Sequence, residues 1–136
     1  MPNRNYKVGY ALENDLSHIL ESENYYVTRS AGSHKIADLV ALKTTTEMPD
    51  RLIDAIMPFC EVTMIQCKRH KNLMTQKEIQ DFKTKAQNLI TRPAICWRDN
   101  GIYLLFLDTN QQKLYRRKTI EGKKRWMLVN ETNNSL

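Results

Sequence analysis

The beginning of the chain carries a helical pattern of apolar residues. From Tyr6 onward, one stripe recurs at intervals of three or four positions and consists of Val8, Leu12, Leu16, Ile19 and Leu20. This spacing predicts an amphipathic helix that packs one face against a core. Asn24 marks the predicted end of the helix, and residues 1–5, which precede the stripe, are predicted to be flexible.

Short runs of apolar, β-branched and aromatic residues follow the helix and predict strands. These runs lie at 25–29 (YYVTR), 37–42 (ADLVAL) and 60–68 (CEVTMIQCK), and the small residues at 30–33 predict a turn. The stretch at 43–60 has a mixed pattern. It predicts a threonine-rich loop and then a short helix between Pro49 and Pro58.

The second half of the chain predicts a capped helix and a hairpin. Thr75 and Glu78 form a capping box that opens a helix over 75–90. Strands are predicted at 94–97 and 102–107, on either side of an Asp-Asn-Gly turn that favours a hairpin. A last strand is predicted near 126–129, and the polar tail at 130–136 is predicted to be flexible.

The order of helix, strands, helix and strands predicts an α/β fold with a mixed central β-sheet flanked by helices. The chain has 136 residues, which favours one domain over the whole of 1–136. A domain of this length can bury a sizeable core without crosslinks.

The net charge indicates the class of partner, and the cysteine usage indicates the cellular compartment. Lys and Arg number 21 against 15 Asp and Glu, so the net charge is +6, which favours a polyanionic partner. No apolar run is long enough for a transmembrane helix, and the first residues do not resemble a signal peptide. Three cysteines without a C-x-x-C pair argue against a disulfide framework or a zinc site. We therefore expect an intracellular, cytoplasmic protein that does not bind membranes.

The candidate chemistry lies in two of the predicted strands. Gln66 and Lys68 are two positions apart and project from one face, and Asp38 opens the neighbouring apolar strand. If the two strands pair, a carboxylate, an amide oxygen and an ammonium group meet at one edge of the sheet. Oxygen ligands of this kind suit Mg²⁺ or Mn²⁺, and a lysine beside them can stabilise charge on a phosphate. This is the chemistry of phosphodiester hydrolysis.

An aspartate, a strand and then Gln-x-Lys resembles the core of the PD-(D/E)xK nuclease superfamily, which has a restriction-endonuclease-like fold. The surroundings resemble archaeal-type Holliday junction resolvases within it. The resemblance is carried by Gly9-x-x-x-Glu13, by RSAGS at 29–33 and by the ADLVA segment at 37–41. It extends over residues 6–107, and RSAGS with the downstream aspartate is its most specific part.

The resemblance implies roles for individual residues. Glu13 would complete the metal site from the first helix, Asp38 would be its central ligand, and Lys68 would be the catalytic lysine. In the loop after the first strand, Arg29 and Ser33 would contact the scissile phosphate. His34 or Lys35 would supply a further basic group in the same loop.

Two features depart from the resolvase pattern. Gln66 stands where these enzymes usually carry a glutamate, so the third metal ligand is neutral. The stretch at 43–60 also looks longer than the corresponding connection in the family. Helical periodicity alone does not distinguish Glu13 from Asp15 as the acid near the site, and only the resemblance favours Glu13.

Basic residues are concentrated in two further places. Arg69 and Lys71 follow the catalytic lysine, and the stretch at 113–125, which includes Arg116 and Arg117, has seven basic residues against one acidic residue. A solvent-exposed strand edge would explain this second run, and a surface that follows DNA phosphates would explain it equally. We favour DNA binding, and we expect both tryptophans to lie in the core.

These features together predict a magnesium- or manganese-dependent endonuclease that resolves four-way DNA junctions by paired cuts. Two symmetric cuts require two active sites and hence a homodimer. Its interface is expected in 43–60 or near 94–107. Three alternatives are a broader nuclease of the Mrr type, which Gln66 favours, a DNA-binding module that has lost catalysis, and a structural or protein-interaction module, which would show little salt-dependent DNA binding.

Overall fold

A single β-sheet with a helix on each side forms the fold. The computed structural model describes residues 4–30, 36–44 and 60–133. The strands in these ranges are β1 (Tyr26–Arg29), β2 (Leu39–Thr44), β3 (Cys60–Lys68), β4 (Arg92–Arg98), β5 (Ile102–Phe106), β6 (Gln111–Ile120) and β7 (Lys123–Asn133). The helices are α1 (Arg4–Ser22), α2 (Gln76–Asn88) and a short 3₁₀ helix (Lys71–Leu73). The predicted α/β class, with a mixed sheet flanked by helices, is confirmed.

The strands follow one another in the sheet in chain order, from β1 to β7. Every neighbouring pair is antiparallel except β3 and β4, which run parallel and are connected through α2. This arrangement brings Asp38, at the start of β2, to the same end of the sheet as Lys68 at the end of β3. The turn between β4 and β5 also lies at this end, which we call the Asp38 end.

Two apolar layers hold the helices against the sheet. The predicted stripe of α1 packs on one face, with Leu12, Leu16, Ile19 and Leu20 all buried. On the other face, Phe82 of α2 packs with Ile95 and Trp97 of β4. Burying a side chain of this size contributes about 1.5–3 kcal/mol. The two faces are called the α1 side and the α2 side below.

Local signals in the sequence set the boundaries of several elements. The Thr75 hydroxyl accepts a hydrogen bond from the Glu78 amide at 3.1 Å, which caps α2 as predicted. In the predicted hairpin turn, Asn100 and Gly101 have φ values of 52° and 139°. A Cβ atom on Gly101 would lie 2.7 Å from the Tyr115 carbonyl oxygen, so only glycine fits between the turn and β6.

The last two strands form a hairpin that is longer than its neighbour. β5 pairs with β6 only as far as Tyr115, whereas β6 and β7 stay paired from Gln111↔Asn133 to Ile120↔Lys123. A register shift between Leu114 and Tyr115 marks the point where the hairpin leaves β5. Residues 116–127, which we call the basic ribbon, therefore extend beyond the rest of the sheet as two strands.

The structure corrects the predictions at both ends of the chain. Residues 130–133 are not a flexible tail, because they pair with β6 as the final part of β7. Arg4 and Asn5 belong to α1 and not to a flexible arm. β6 was missed as a strand, and β7 begins before the predicted 126. The helix predicted after Pro49 lies outside the described residues, and no helix among the described ones could span a bilayer.

Candidate active site

Asp38, at the start of β2, is held by two hydrogen bonds with the backbone of β3. Its Oδ2 accepts a hydrogen bond from the Cys67 amide at 2.8 Å, and its own amide donates to the Ile65 carbonyl at 2.9 Å. Cys67 lies between Gln66 and Lys68 in the chain. The carboxylate is therefore fixed against the part of β3 that carries both other candidate residues.

Glu13 of α1 forms an ion pair near Asp38. The Arg29 Nε donates to Glu13 Oε2 at 2.5 Å, and the Glu13 side chain is only 15% exposed. Burial raises the pKa of the Glu13 carboxyl; the Arg29 charge opposes this rise and the Asp38 charge adds to it. Asp15 pairs instead with Arg98. Of the two acids that periodicity left open, Glu13 is thus the one that the structure places beside Arg29 and close to Asp38.

Arg29 has a second contact that sequence reasoning did not find. Its guanidinium lies 4.1 Å from the centre of the Tyr10 ring, which is a cation–π distance. Tyr10 and Glu13 are three positions apart on α1 and therefore share a helix face. Together they hold Arg29 from two sides. The i, i+3 spacing of an aromatic residue and an acid was the only signal in the sequence.

Gln66 and Lys68 occupy the α2 side of β3. The Gln66 Nε2 donates to the Ile36 carbonyl at 2.8 Å, and Gln66 borders a cavity of about 230 Å³ together with Met74 and Phe82. A carbonyl only accepts hydrogen bonds, so the contacting atom of Gln66 is the nitrogen. The amide oxygen, which is the atom able to bind a cation, points away from Ile36.

Cys67 lies on the opposite pleat and packs with the α1-side core. A hydrogen bond with the Cys96 thiol raises the pKa of the Cys67 thiol strongly, and burial and the Asp38 charge raise it further. A thiol with a raised pKa stays protonated and is a poor nucleophile. The contribution of Cys67 to the site is its backbone amide, which no sequence pattern indicated.

The donor groups are compatible with a divalent cation. They carry less negative charge than a site with three carboxylates would. Glu13 and Asp38 supply carboxylates, whereas Gln66, the predicted third ligand, occupies the α2 side of β3, on the face opposite to α1. Among the described residues, no cluster of three or more His, Cys, Asp or Glu side chains is arranged to hold a metal. Mg²⁺ commonly uses only one or two carboxylates and takes its remaining ligands from water and phosphate. The residues present therefore fit a weakly held magnesium or manganese ion.

The predicted DNA-binding residues fall at the Asp38 end where they are described. Lys71 lies over the Trp97 ring at 5.7 Å and borders a cavity of about 490 Å³. The Arg116 Nε donates to the Asn100 carbonyl at 3.0 Å, and Arg117 lies over the Trp126 ring. Arg69 is exposed at the end of β3. Ser33, His34 and Lys35 lie outside the described residues.

Both tryptophans contribute to the core, as predicted. Trp97 is 4% exposed and stacks on Tyr103, with ring centres 5.2 Å apart. Trp126 is partly buried against the α1-side core. The strands at 92–98 and 102–106 lie inside the sheet, with a neighbour on each side. A dimer interface near 94–107 could therefore not be formed by pairing of their edges.

Comparison with known proteins supports the fold. The chain matches no protein-family model, and its sequence matches no curated protein. Among solved structures, it is similar to Hjc, a Holliday junction resolvase from the archaeal hyperthermophile Archaeoglobus fulgidus. The TM-score is 0.51 and the identity is 16%, over 93% of this chain and 88% of that chain. At this identity the similarity concerns the fold.

Proposed function

We propose that this chain is a metal-dependent endonuclease with a PD-(D/E)xK core that cuts four-way DNA junctions. The observation that carries the proposal is the position of Asp38. Its carboxylate accepts a hydrogen bond from the amide between Gln66 and Lys68, and it lies close enough to Glu13 for its charge to add to the rise in pKa that burial causes there. The fold similarity to a Holliday junction resolvase supports the choice of branched DNA as substrate.

Glu13, Asp38 and the Gln66 amide oxygen would hold Mg²⁺ or Mn²⁺. The bound ion would supply Lewis-acid stabilisation of charge on the phosphate and lower the pKa of a bound water. Lys68 projects from the same side of β3 as Gln66. Its ammonium group would stabilise the negative charge that develops on the phosphate oxygens during attack by water. Ser33 would contact the same phosphate.

Arg29 would exchange its partner when the substrate binds. In the free protein it neutralises Glu13, and its own side chain remains 39% exposed. With Glu13 engaged as a metal ligand beside Asp38, its carboxylate would hold Arg29 less strongly. The guanidinium, still supported by the Tyr10 ring, would then be available to a phosphate oxygen.

Affinity for DNA would come mainly from contacts with phosphates. The net charge of +6 and the basic groups Arg69, Lys71, Arg116, Arg117, His34 and Lys35 suit a substrate that is recognised by shape and charge. Paired cuts on opposing strands of a junction require two active sites. We therefore propose a homodimer with two-fold symmetry, which sedimentation equilibrium would detect.

A second candidate is a DNA-binding module that has lost catalysis. It is favoured by the neutral Gln66, whose amide nitrogen is engaged with the Ile36 carbonyl, and by the ion pair between Glu13 and Arg29. In this case the acidic residues would serve stability alone. A nuclease of the Mrr type, which would also cut linear duplex, is the third outcome that the same experiment separates.

The deciding experiment compares a labelled synthetic four-way junction with linear duplex of the same sequence. Wild type, Asp38→Ala and the control Asp15→Ala are incubated with Mg²⁺, Mn²⁺ or EDTA, and the products are separated on a denaturing gel. Asp15 is a matched control because it is also an α1-side acid in an ion pair, here with Arg98.

We expect paired symmetric nicks in the junction with wild type and with Asp15→Ala, and none with EDTA or with Asp38→Ala. Cleavage of the linear duplex at the same rate would favour a broader nuclease over a junction resolvase. Tight junction binding without cleavage under any metal would contradict an active enzyme and support the binding module.

A further inference from the structure

The basic ribbon extends about 16 Å beyond the strand that supports it, at about 3.3 Å for each of the five residues of β6 after Tyr115. At its tip, Glu121 and Gly122 form a two-residue turn with φ values of 52° and 78°. Side chains from 116 to 125 are all exposed. Apart from Trp126, the ribbon therefore gains little from burial in the core, so its composition can reflect another role.

The register of the ribbon divides its cations between two faces. Tyr115 belongs to the α1-side core, and Trp126, opposite Arg117, packs on the same side. Strand alternation then assigns Arg117 and Lys124 to the α1 side. The α2 side carries four cations, namely Arg116, Lys118, Lys123 and Arg125. The distribution is thus four against two.

Two of the α2-side cations form a like-charged pair that lowers the stability of the ribbon. Lys118 lies directly opposite Arg125, and like charges in a cross-strand pair destabilise a sheet. In the described part of the chain, neither residue forms an ion pair with a carboxylate. Glu121, at the tip, is the one acid between 116 and 130. An external polyanion would relieve the repulsion.

The ribbon is also well placed relative to the candidate active site. It leaves the sheet at the Asp38 end, and the cation-rich face is on the α2 side, as Lys68 is. Three strand spacings, about 14 Å, separate β3 from β6 at the base of the ribbon. A duplex whose scissile phosphate met Lys68 would therefore pass beside this face. A two-stranded ribbon is also narrow enough for the major groove of B-DNA, which is about 12 Å wide.

We infer that the basic ribbon holds one duplex arm of the DNA substrate, with its α2-side cations on the phosphates along the major groove. The inference rests on the proposed function and adds the surface that positions the substrate. The contacts would be with phosphates and so independent of sequence. The arm would be held beside the scissile phosphate, and the ribbon would also bind a plain duplex.

The test compares two variants that lower the net charge by two on opposite faces. Lys118→Gln/Arg125→Gln alters the α2 side, and Lys124→Glu alters the α1 side. Binding to a fluorescent four-way junction and to a linear duplex is measured by anisotropy, with EDTA present so that no strand is cut. Melting temperatures show that both variants remain folded.

We expect the α2-side variant to bind both DNAs about tenfold or more weakly at about 0.1 M salt. The slope of log affinity against log salt concentration should become less negative by about 1.8, which corresponds to the loss of two phosphate contacts. The α1-side variant should stay within about threefold of wild type. Wild-type affinity in the α2-side variant, or equal losses in both variants, would overturn the inference.

The outcome is separable from that of the nuclease proposal. If no metal supports cleavage but the α2-side variant alone loses affinity, the ribbon inference stands and the nuclease proposal fails. If junctions are cut with Asp38 required, but both ribbon variants bind like wild type, the reverse holds. Salt dependence is a readout that a purely structural role of the ribbon would not change.

Discussion

Replacing Gln66 with a glutamate tests the candidate metal site directly, because it exchanges a neutral ligand for a charged one. In the free protein the Gln66 amide nitrogen donates to the Ile36 carbonyl at 2.8 Å. A carboxylate in its place has no proton to donate and would face the carbonyl oxygen. We therefore expect Gln66→Glu to destabilise the metal-free protein and to stabilise the metal-bound one.

The two effects can be given magnitudes. Losing the hydrogen bond and leaving a partly buried acceptor unpaired costs about 1–3 kcal/mol. For a chain of this length, that corresponds to a fall in melting temperature of about 4–12 °C. One added negative charge at the site should tighten cation binding by about tenfold. Under saturating cation, such tightening returns about 1.4 kcal/mol of stability.

Thermal unfolding followed by circular dichroism measures both effects in one series. Wild type and Gln66→Glu are melted in EDTA and then at increasing Mg²⁺ or Mn²⁺. The double variant Gln66→Glu/Asp38→Asn serves as the control, because it has the new carboxylate but lacks the Asp38 charge. It should show the loss in EDTA without the full recovery in metal.

One result would refute the proposal that residue 66 is a ligand of the bound cation. If the melting temperature of Gln66→Glu in metal rises by no more than that of wild type, the added carboxylate does not meet the cation. If the double variant recovers as fully as the single variant, the recovery reflects general screening of charge. A Gln66→Glu protein as stable as wild type in EDTA would contradict the hydrogen bond to Ile36.

Two further predictions concern the turn and the acid pair. Gly101→Ala should lower the free energy of unfolding by at least about 2 kcal/mol, because its Cβ would lie 2.7 Å from the Tyr115 carbonyl oxygen at a φ of 139°. Gly122→Ala has open space around the new Cβ at a φ of 78° and should lower it by about 1 kcal/mol. Urea denaturation measures both values. Burial raises the pKa of Glu13, so the stability that this carboxyl contributes is present below its ordinary pKa of 4.5 and is lost as the pH rises through the folded-state pKa. Glu13→Gln should therefore gain free energy of unfolding relative to wild type as the pH rises from 4.5 through the folded-state pKa, and a constant difference would contradict the shift.

Helices and tight turns were predictable because their signals are local. The stripe of α1 and the Thr75 cap depend only on neighbours within a few positions, and so does the turn at Asn100 and Gly101. β6 was missed because a strand is recognised from the alternation of buried and exposed positions. In β6, only Leu114 and Tyr115 are buried, since the remainder leaves the sheet.

The candidate site shows the same division between local and distant information. Period-two alternation was enough to place Gln66 and Lys68 on one side of β3. The hydrogen bond from Cys67 to Asp38 depends on the register between two strands that are separated in the chain by residues 45–59. Glu13 and Asp15 have similar positions on the helical wheel. Their different partners, Arg29 and Arg98, come from separate strands, which no single-sequence pattern relates to α1.

The outer edge of β7 has a consequence for solubility. β7 is eleven residues long and pairs only with β6 in the described part of the chain, so its other side presents unpaired backbone groups. Long edge strands invite pairing between molecules, and charged side chains, lysine above all, prevent it. Lys123, Lys124 and Arg125 stand on this edge. Lys123 and Arg125, which we assign to DNA, would thus act together with Lys124 to keep two copies from joining edge to edge in its absence.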